Sequence, residues 1–470
     1  MPHDSGLSRR SFLVRAGATG IGLTMAGRGN LFAGETATDQ PPDDPSRMIA
    51  GIADPAIRTG MEAAILKNMI PAAVETDYPG YFWISADGQA YGNATWPGLD
   101  SWQMAGAYLL MGRTRMVLDY FDFVRASQRK DGHIPFAIFP GNTPAAGCLS
   151  GLNTPHDVYI YKPPKREGLP TSSRQPRSWI GLFKHWHPKD PLGVLAPVCF
   201  VLTAAEIFDA TGAAAWLRER LPSLEAAAKY VLSRKDKNGL IGGAGFYLEL
   251  PARYNWDGVT QCYAIHAFRE LARLFRAAGD ATSHATWSAH ADKLTEVFDA
   301  AFWRDDHFGE YVHPERGLVD LHGLSDVNWA AVAFGIVDGR KLEALWPRLM
   351  KEKGFWWGDM PTQTVSKPLG YEKWEYNEPL PVQATPLNDV AAMGRVWYLE
   401  AVACRRMKAH RRLIESARKV CRAAKADGYW RERYHAQANG TVAPAGAEKY
   451  CEYAAILTRV VLGNRSLFFG

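Results

Sequence analysis

Apolar residues recur at every third or fourth position over most of this chain, which is the spacing typical of amphipathic helices. The periodic stretches come in pairs: an apolar helix, a short turn, a second amphipathic helix, and then a polar turn with an aromatic, hairpin-like segment. Five such units are visible, at residues 104–136, 200–247, 265–311, 331–360 and 396–434. Glycine-containing breaks punctuate them, as expected at helix ends. The pattern therefore predicts an all-α chain built from repeated helical hairpins.

A sixth unit forms only if the predicted helix near 56–70 pairs with the last one, near 447–462. Helical hairpins that cannot bury their own apolar faces stack on their neighbours, and pairing the first with the last closes the stack into a ring. An open solenoid is the competing arrangement. Unequal units with long aromatic loops at one end favour the ring, because such loops build a pocket. We predict an (α/α)6 toroid over residues 48–470, with short β hairpins on one face.

The stretch 137–192 departs from this pattern, since it contains nine prolines and no helical period. Loops of this length are usually functional lids or disordered segments. HDVYIY at 156–161 alternates like a short strand, while His185 and His187 have no third metal ligand at useful spacing. We predict a substrate-covering lid here, and we expect no metal and no cofactor.

The first 33 residues predict an export signal. SRRSFLV at 8–14 precedes a mild, glycine-interrupted apolar run from Ala16 to Met25, which matches a twin-arginine signal closely. That run is too short to span a bilayer, and no later run approaches the ~20 apolar residues that a membrane helix needs. Residues 34–47 then have the composition of a flexible leader. We therefore expect a periplasmic or secreted protein.

Charge and cysteine content argue against two further classes. The formal charge is +5, of which residues 1–33 hold +3, so the remaining +2 does not favour nucleic-acid binding. The basic run at 405–412 lies where one predicted helix turns into the next and is typical of a solvated hairpin end. Six widely spaced cysteines with no CxxC pair indicate neither a metal ribbon nor a disulfide framework.

The segment ARYNWDGVTQ at 252–261 concentrates sugar-binding residue types at the entrance to a predicted helix. The ring of Trp256 offers an apolar face for the C–H side of a pyranose, Arg253 can bind its hydroxyl groups, and the Asp257 carboxyl can move a proton. The simpler interpretation of Asp257 is a helix N-cap, because Asp recurs before several of the predicted first helices. Asp100 in WPGLDSWQ has the same two interpretations.

A glycosidase needs a second carboxyl group on the other side of the bond. Residues 428–453 offer Glu432, Glu448 and Glu452. Glu432 follows the fifth unit and is expected at the same end of the toroid as Asp257. Glu448 and Glu452 fall a turn apart near the start of the closing helix, where the helix dipole favours an acid.

On these motifs the chain resembles the six-hairpin glycosidases, the (α/α)6 group that includes trehalases, processing α-glucosidases and α-L-rhamnosidases. ARYNWDGVTQ is similar to the segment that supplies the general acid in trehalase-like enzymes, which implies that role for Asp257. RERYHAQANG at 431–440 is similar to their late Glu-x-Tyr element, which implies Glu432 as the base. GRVWYLEA at 394–401 and WPGLDSWQ at 96–103 are similar to elements lining sugar subsites, with altered spacing. The Gly-Phe-Gly-Trp run of trehalases is absent from the final stretch.

The sequence thus predicts an exported, inverting glycoside hydrolase acting on a carbohydrate, with Asp257 as acid and Glu432 as base. Two alternatives stay open: a polysaccharide lyase of uronic-acid glycans, using Arg253 with Tyr254 or using His185, and a non-catalytic glycan-binding toroid. The residues expected to contact substrate are Trp96, Asp100, Trp102, Arg253, Trp256, Trp356, Trp357, Arg395, Trp397, Trp430 and Glu448.

Overall fold

The structure is a computed structural model of the chain. It describes residues 44–74, 78, 80–88, 93–141, 158–163, 165, 179–182, 194–242, 256–368, 372–375, 394–424 and 427–470. The predicted export signal, most of the predicted lid with His185 and His187, and Arg253 with its two following residues lie outside the described part.

Helices dominate the described residues. The first are α1 (Pro45–Ala50) and α2 (Pro55–Glu62), which continues into a π-helical segment, Ala63–Met69, and a last turn, α3 (Ile70–Ala72). Next come α4 (Leu99–Leu110), α5 (Thr114–Arg125), α6 (Leu195–Thr211), α7 (Ala214–Ser233), α8 (Gly258–Ala278) and α9 (Ala281–Phe302). The rest are α10 (Asp326–Ala333), α11 (Gly339–Lys351), a 3₁₀ turn (Lys373–Glu375), α12 (Arg395–Arg406), α13 (His410–Ala424), α14 (Cys451–Leu462) and α15 (Arg465–Phe468).

Six of these helices form a closed inner ring. Helix α4 packs on α6, α6 on α8, α8 on α10, α10 on α12, α12 on α14, and α14 returns to α4. The π-helical segment packs against α14, so the first and last predicted helices do pair. The outer layer consists of α2 with its π-helical continuation, α5, α7, α9, α11 and α13. The predicted (α/α)6 toroid is confirmed, and the open solenoid is wrong.

The burial pattern explains which helices lie inside. Every residue of α14 and of α10 is buried, as expected for helices surrounded on all sides. Helix α13 instead buries one stripe at spacings of three and four, which is typical of a helix with one face in water. That stripe comprises Leu413, Ser416, Ala417, Val420, Cys421 and Ala424.

Short strands lie in the connections that lead from an outer helix to the next inner helix. Strands β1 (Ala137–Pro140), β2 (Val158–Tyr161) and β3 (Trp179–Leu182) form an antiparallel sheet in the order β1-β3-β2. Strands β4 (Trp256–Asp257), β5 (Tyr311–His313) and β6 (Gly317–Val319) form a second, and β7 (Arg433–Ala436) pairs with β8 (Val442–Ala445). All of them therefore gather at one end of the ring, as predicted, and β2 confirms the strand predicted at 156–161.

One predicted boundary differs. The flexible leader was expected to run to residue 47, whereas α1 begins at Pro45, because the Asp44 carboxylate caps it by accepting from the backbone N–H of Ser46. No helix in the described ranges is long and apolar enough to cross a membrane.

Candidate functional site

The inner helices begin at the end of the ring that carries the strands, and several of them begin with an acidic residue. Asp100 lies in the first turn of α4, Asp257 caps α8, Asp326 opens α10 and Glu452 lies in the first turn of α14. The exposed backbone N–H groups of a helix start favour negative charge. Repetition of the hairpin therefore collects carboxyl groups on one face of the toroid.

Three carboxyl groups from distant parts of the chain cluster around one arginine. Glu452 accepts from the Gly394 backbone N–H at 3.0 Å and pairs with the Arg395 guanidinium at 3.4 Å. Asp100 lies close enough to Glu452 and Arg395 for their charges to shift its pKa. Glu432 lies close enough to Asp100 and Glu452 to raise the pKa of each. All four side chains are buried. The structure thus brings together Asp100, Arg395 and Glu432 with Glu452, which the sequence offered as another candidate for the second carboxyl group.

Asp100 holds its proton into the neutral range. Burial and the neighbouring Glu452 raise its pKa, Arg395 lowers it, Glu432 raises it again and a hydrogen bond from Tyr450 lowers it, leaving the pKa at about 7. Burial likewise raises the pKa of Glu452, against the opposing effect of Arg395. At least one carboxyl group of this cluster can therefore donate a proton near neutral pH.

Glu432 is fixed through both carboxylate oxygens. The Arg433 guanidinium donates to Oε1 at 2.9 Å and the Ala447 backbone N–H donates to Oε2 at 2.8 Å. The Glu432 backbone N–H in turn donates to the Ala447 carbonyl at 3.0 Å. These contacts place Glu432 at the base of the β7–β8 hairpin with its carboxylate as an acceptor on both sides.

Asp257 is a helix cap, as its simpler interpretation predicts. Its side chain is fully buried and accepts from the N–H groups of Val259 and Thr260 at 3.4 and 3.3 Å, and from the Thr260 hydroxyl at 3.3 Å. These are long contacts for hydrogen bonds, which normally lie near 2.9 Å. Asp257 also ends β4, whose partner across the sheet is Tyr311.

The ring order sets the relation between Asp257 and Glu432. Asp257 opens α8, the third inner helix, and Glu432 lies in the connection that leads into α14, the sixth. Helices three places apart in a ring of six face each other across its axis. Asp257 therefore lies on the opposite side of this face from the cluster of Asp100, Glu432 and Glu452.

Solved structures resemble this arrangement in fold. No protein-family model and no curated protein matches the chain. A rhamnosidase from Klebsiella oxytoca with rhamnose bound matches with a TM-score of 0.57 and 13% identity over 88% of this chain and 64% of that one. A GH78 family rhamnosidase of a Bacillus species matches at 0.54 and 15%, over 88% and 35%. A GH63 mannosylglycerate hydrolase from Thermus thermophilus in complex with glucose matches at 0.51 and 12%, over 86% and 99%.

The chain has the fold of the six-hairpin glycosidases. It spans about a third of the Bacillus rhamnosidase and just under two thirds of the Klebsiella enzyme, but 99% of the mannosylglycerate hydrolase. The predicted resemblance is confirmed for the fold.

Several tryptophans predicted to line sugar subsites are core residues of this six-hairpin fold. The indole N–H of Trp397 donates to Ser416 on α13, that of Trp430 donates to the Gly60 carbonyl on α2, and that of Trp102 donates to Glu206 on α6. All three rings are buried, and Trp96 is buried edge-to-face against Phe136. Trp397 and Trp430 thus bond to the outer layer and Trp102 bonds to a neighbouring inner helix. The burial of all four rings gives no support to their predicted role as subsite walls.

The other predicted substrate contacts in the described part of the chain are Trp256, Trp356, Trp357 and Glu448. Trp256 and Trp357 are half-buried; Trp256 adjoins Asp257, and the Trp357 indole donates to the Gln437 carbonyl in the β7–β8 loop at 3.0 Å. Trp356 is covered by the Lys419 ammonium of outer helix α13. Glu448 is about half exposed and pairs with Arg431 at 3.0 Å, outside the carboxyl cluster. Its placement gives no support to a substrate contact.

The structure also contains a buried charge cluster that the sequence did not indicate. His322 Nδ1 lies 2.5 Å from Glu310 Oε1, and its Nε2 lies 3.3 Å from Glu375 Oε2. Tyr311, the strand partner of Asp257, donates its hydroxyl to Glu375 at 3.2 Å. Only Glu310 and Tyr311 are neighbours in sequence, so no local motif marks the cluster. Among the described residues no group of His, Cys, Asp and Glu has the arrangement of a metal site.

Proposed function

We propose that the chain is a glycoside hydrolase that cleaves with inversion, using Asp257 as general acid and Glu432 as general base. The observation that carries the proposal is their position on opposite sides of one face of the ring, at the entrances to α8 and α14. Glycosidic bond hydrolysis requires two carboxyl groups flanking the bond.

In this mechanism the Asp257 carboxyl protonates the leaving oxygen while Glu432 accepts a proton from the attacking water. Glu432 suits the base because its carboxylate is held as an acceptor by Arg433 and the Ala447 N–H. Asp257 suits the acid because it is fully buried and its capping hydrogen bonds are long. Inversion requires a carboxyl separation of about 6.5–9.5 Å, enough to admit a water molecule.

Asp100 and Arg395 would bind sugar hydroxyls beside Glu432. A protonated Asp100 donates a hydrogen bond and Arg395 donates several, so the two together can orient a polyhydroxylated ring. Half-buried Trp256 and Trp357 supply aromatic faces for its C–H groups. Two of the structural neighbours hold rhamnose and glucose, so aryl rhamnosides and glucosides are the first substrates to try.

The test compares Asp257→Asn and Glu432→Gln on an aryl-glycoside panel and on the matching glycosyl fluoride. Each substitution should lower kcat about 10²–10⁴-fold on aryl glycosides. Fluoride leaves without protonation, so Asp257→Asn should recover on the glycosyl fluoride and Glu432→Gln should not.

Asp326→Asn is the matched control, because Asp326 is also buried and also opens an inner helix at this end. It should keep near-wild-type turnover. Full activity in either Asp257→Asn or Glu432→Gln would refute the assignment. Proton NMR of the first anomer released distinguishes inversion from retention.

A non-catalytic glycan-binding protein is the second candidate, favoured by the helix-capping role of Asp257. It predicts sugar binding by calorimetry with no turnover on any glycoside in the panel. The lyase alternative depends on Arg253, Tyr254 and His185, which lie outside the described residues. It predicts new ultraviolet absorbance from an unsaturated uronic product.

Export through the twin-arginine route is part of the proposal and rests on SRRSFLV at 8–14. Replacing Arg9 and Arg10 together by Lys keeps the charge but removes the arginine pair. The double variant should accumulate in the cytoplasm of an expressing bacterium, while wild type reaches the periplasm. Equal periplasmic amounts, measured by fractionation and immunoblot, would contradict this route.

A further inference from the structure

Three buried amide side chains each bind both backbone polar groups of a single residue. Gln261 accepts from the Ile241 N–H at 2.8 Å and donates to its carbonyl at 2.9 Å. Asn328 accepts from the Phe308 N–H at 2.8 Å and donates to its carbonyl at 3.1 Å. A side-chain amide paired in this way reproduces one rung of a β-ladder. We call these three contacts the amide clamps.

Asn68 makes the third clamp. Its side chain accepts from the Trp430 N–H at 3.1 Å and donates to the Trp430 carbonyl at 2.9 Å. It also donates to the Tyr450 carbonyl at 2.8 Å, and it is fully buried. Asn68 lies in the π-helical segment, where the widened turn is a rare feature that often marks a functional site.

The clamped residues occupy equivalent places in the repeat. Ile241, Phe308 and Trp430 each lie just beyond an outer helix, at the start of the connection into the next inner helix. These connections lead to Asp257, to Asp326 and to Glu432 with Glu452. The clamps thus hold the backbone at points that precede acidic residues at this end of the ring, among them Asp257 and Glu432.

Two of the clamps act directly on the segments of the proposed acid and base. Gln261 donates at 3.1 Å to the carbonyl of Asp257 in addition to holding Ile241. Asn68 holds Trp430, two residues before Glu432, and Tyr450, two residues before Glu452. By joining residues 430 and 450 it closes the base of the segment that contains the β7–β8 hairpin.

We propose that Gln261 and Asn68 are positioning residues, Gln261 for the carboxyl group of Asp257 and Asn68 for that of Glu432. The proposal rests on the hydrolase function proposed above. Each amide fixes the backbone from two directions, so the carboxyl group beyond it is oriented before substrate arrives.

The conservative variants Gln261→Glu and Asn68→Asp keep the acceptor oxygen and the shape but replace the donor group. Each leaves two backbone carbonyls facing an oxygen, so the clamped backbone shifts away. Asn464→Asp is the control, because Asn464 is also buried and donates to a backbone carbonyl, that of Val460, at the far end of α14.

The readout is turnover on an aryl glycoside against turnover on the matching glycosyl fluoride. Gln261→Glu should lower kcat at least 10-fold on the aryl glycoside and much less on the fluoride, because only the acid is displaced. Asn68→Asp should lower kcat by a similar factor on both, with a smaller change in KM. A purely structural role would give Gln261→Glu equal losses on both substrates and would overturn its assignment, and unchanged turnover would overturn either.

Crystal structures of the two variants separate failure of this inference from failure of the hydrolase proposal. If wild type cleaves no glycoside, the hydrolase proposal fails, and the position of the carboxyl groups still tests the clamps. Displacement of Glu432 in Asn68→Asp and of Asp257 in Gln261→Glu supports positioning. Carboxyl groups that stay within coordinate error of wild type would overturn it.

Discussion

Asp100 is buried among charges of both signs, and its ionisation therefore affects folding stability. Burial and the neighbouring carboxylate Glu452 raise its pKa from 3.8 to about 7, despite the opposing Arg395. In the unfolded chain the same carboxyl group ionises near its ordinary value. Between these two values the folded state binds the proton more tightly, so stability attributable to Asp100 is full below about pH 4 and is lost as pH rises through 7.

The Asp100→Asn variant should lack this loss. The Tm of the variant minus the Tm of wild type should increase steadily from pH 4 to pH 7 and level off above pH 8, because Asn resembles the protonated acid and cannot ionise. Thermal unfolding at matched ionic strength measures the difference. The variant Asp292→Asn, at an exposed carboxyl group, is measured in parallel as the control. A difference between Asp100→Asn and wild type that does not change with pH would contradict a raised pKa.

Gly446 is required beside Glu432 for two separate reasons. Its φ of +69° disfavours other residues, and a Cβ added there would meet the Glu432 carboxylate, with Glu432 Cβ at 2.8 Å. Gly440 in the same hairpin has φ of +81° and nothing near an added Cβ. A comparison of substitutions at the two glycines therefore separates the effect of backbone strain from the effect of displacing Glu432.

Gly446→Ala and Gly440→Ala should both cost about 1–2 kcal/mol of stability, because each forces a side chain into the left-handed region. Only Gly446→Ala should lower kcat, by at least tenfold, since it alone moves the Glu432 carboxylate. Urea unfolding and steady-state kinetics on the best aryl glycoside measure the two effects. Equal activity in the two variants would argue against Glu432 as the base.

At the scale of elements, the repeat was predictable because it depends on local signals. Apolar spacing marked the helices, and glycines marked breaks such as the left-handed Gly279 that ends α8. The capping interpretation of Asp257 followed from the same local chemistry. The apolar spacing at residues 56–70 predicted a helix but not its π-helical segment, because this spacing does not distinguish an α-helix from one that has an extra residue in a turn.

The carboxyl cluster was only partly predictable, because its members are distant in sequence. Glu432 and Asp100 were found from their aromatic neighbours, whereas the pairing of Glu452 with Arg395 depends on the packing of α14 against α12. Trp397 and Trp430 were predicted to contact substrate, but the structure buries both in the core. A tryptophan near a site motif carries no sign of which face of its helix or loop it occupies. Of the amide clamps, only the one at Asn68 could have been suspected from the sequence, because Asn68 is an asparagine within an apolar helical stretch.

The buried cluster of His322, Glu310 and Glu375 ties the residues that flank the β5–β6 hairpin to the 3₁₀ turn at Lys373–Glu375. Burial lowers the pKa of His322, but hydrogen bonds with Glu310 and Glu375 outweigh it and raise the pKa to about 9. Tyr311 also faces Glu375 through its hydroxyl. His322 is therefore a cation at neutral pH.

This cation should stabilise the folded chain fully below about pH 6.5 and progressively less up to pH 9, where the imidazolium deprotonates. The advantage in Tm of wild type over His322→Gln should thus shrink across that range. His313→Gln, on the neighbouring β5, is measured in parallel as the control for loss of a histidine. An advantage for wild type that is the same at pH 6 and pH 9.5 would refute the ion cluster.

At the scale of the whole molecule, the buried side chain of Arg459 joins the last inner helix to three others, including the first. The Arg459 guanidinium on α14 donates to Glu206 on α6 at 2.6 Å and to the Trp102 carbonyl on α4 at 3.2 Å. It also donates to the Tyr398 hydroxyl on α12 at 3.3 Å. This one side chain of α14 therefore contacts three other inner helices, among them α4, where the ring closes. Gly106 provides its space, since a Cβ there would meet both Arg459 and Glu206.

Arg459→Met should cost about 3–5 kcal/mol, because it leaves the Glu206 charge buried without its cationic partner, whereas an exposed pair costs about 1 kcal/mol or less. Lys293→Met, which breaks the exposed pair with Glu296, is the control for the exposed case. Adding Glu206→Gln to Arg459→Met should recover part of the loss, so that the double variant costs less than the sum of the single variants. Urea midpoints at a fixed slope, measured for wild type and the four variants, give these differences. A contribution of the buried pair beyond that of an exposed pair would be contradicted if Arg459→Met and Lys293→Met had equal midpoints.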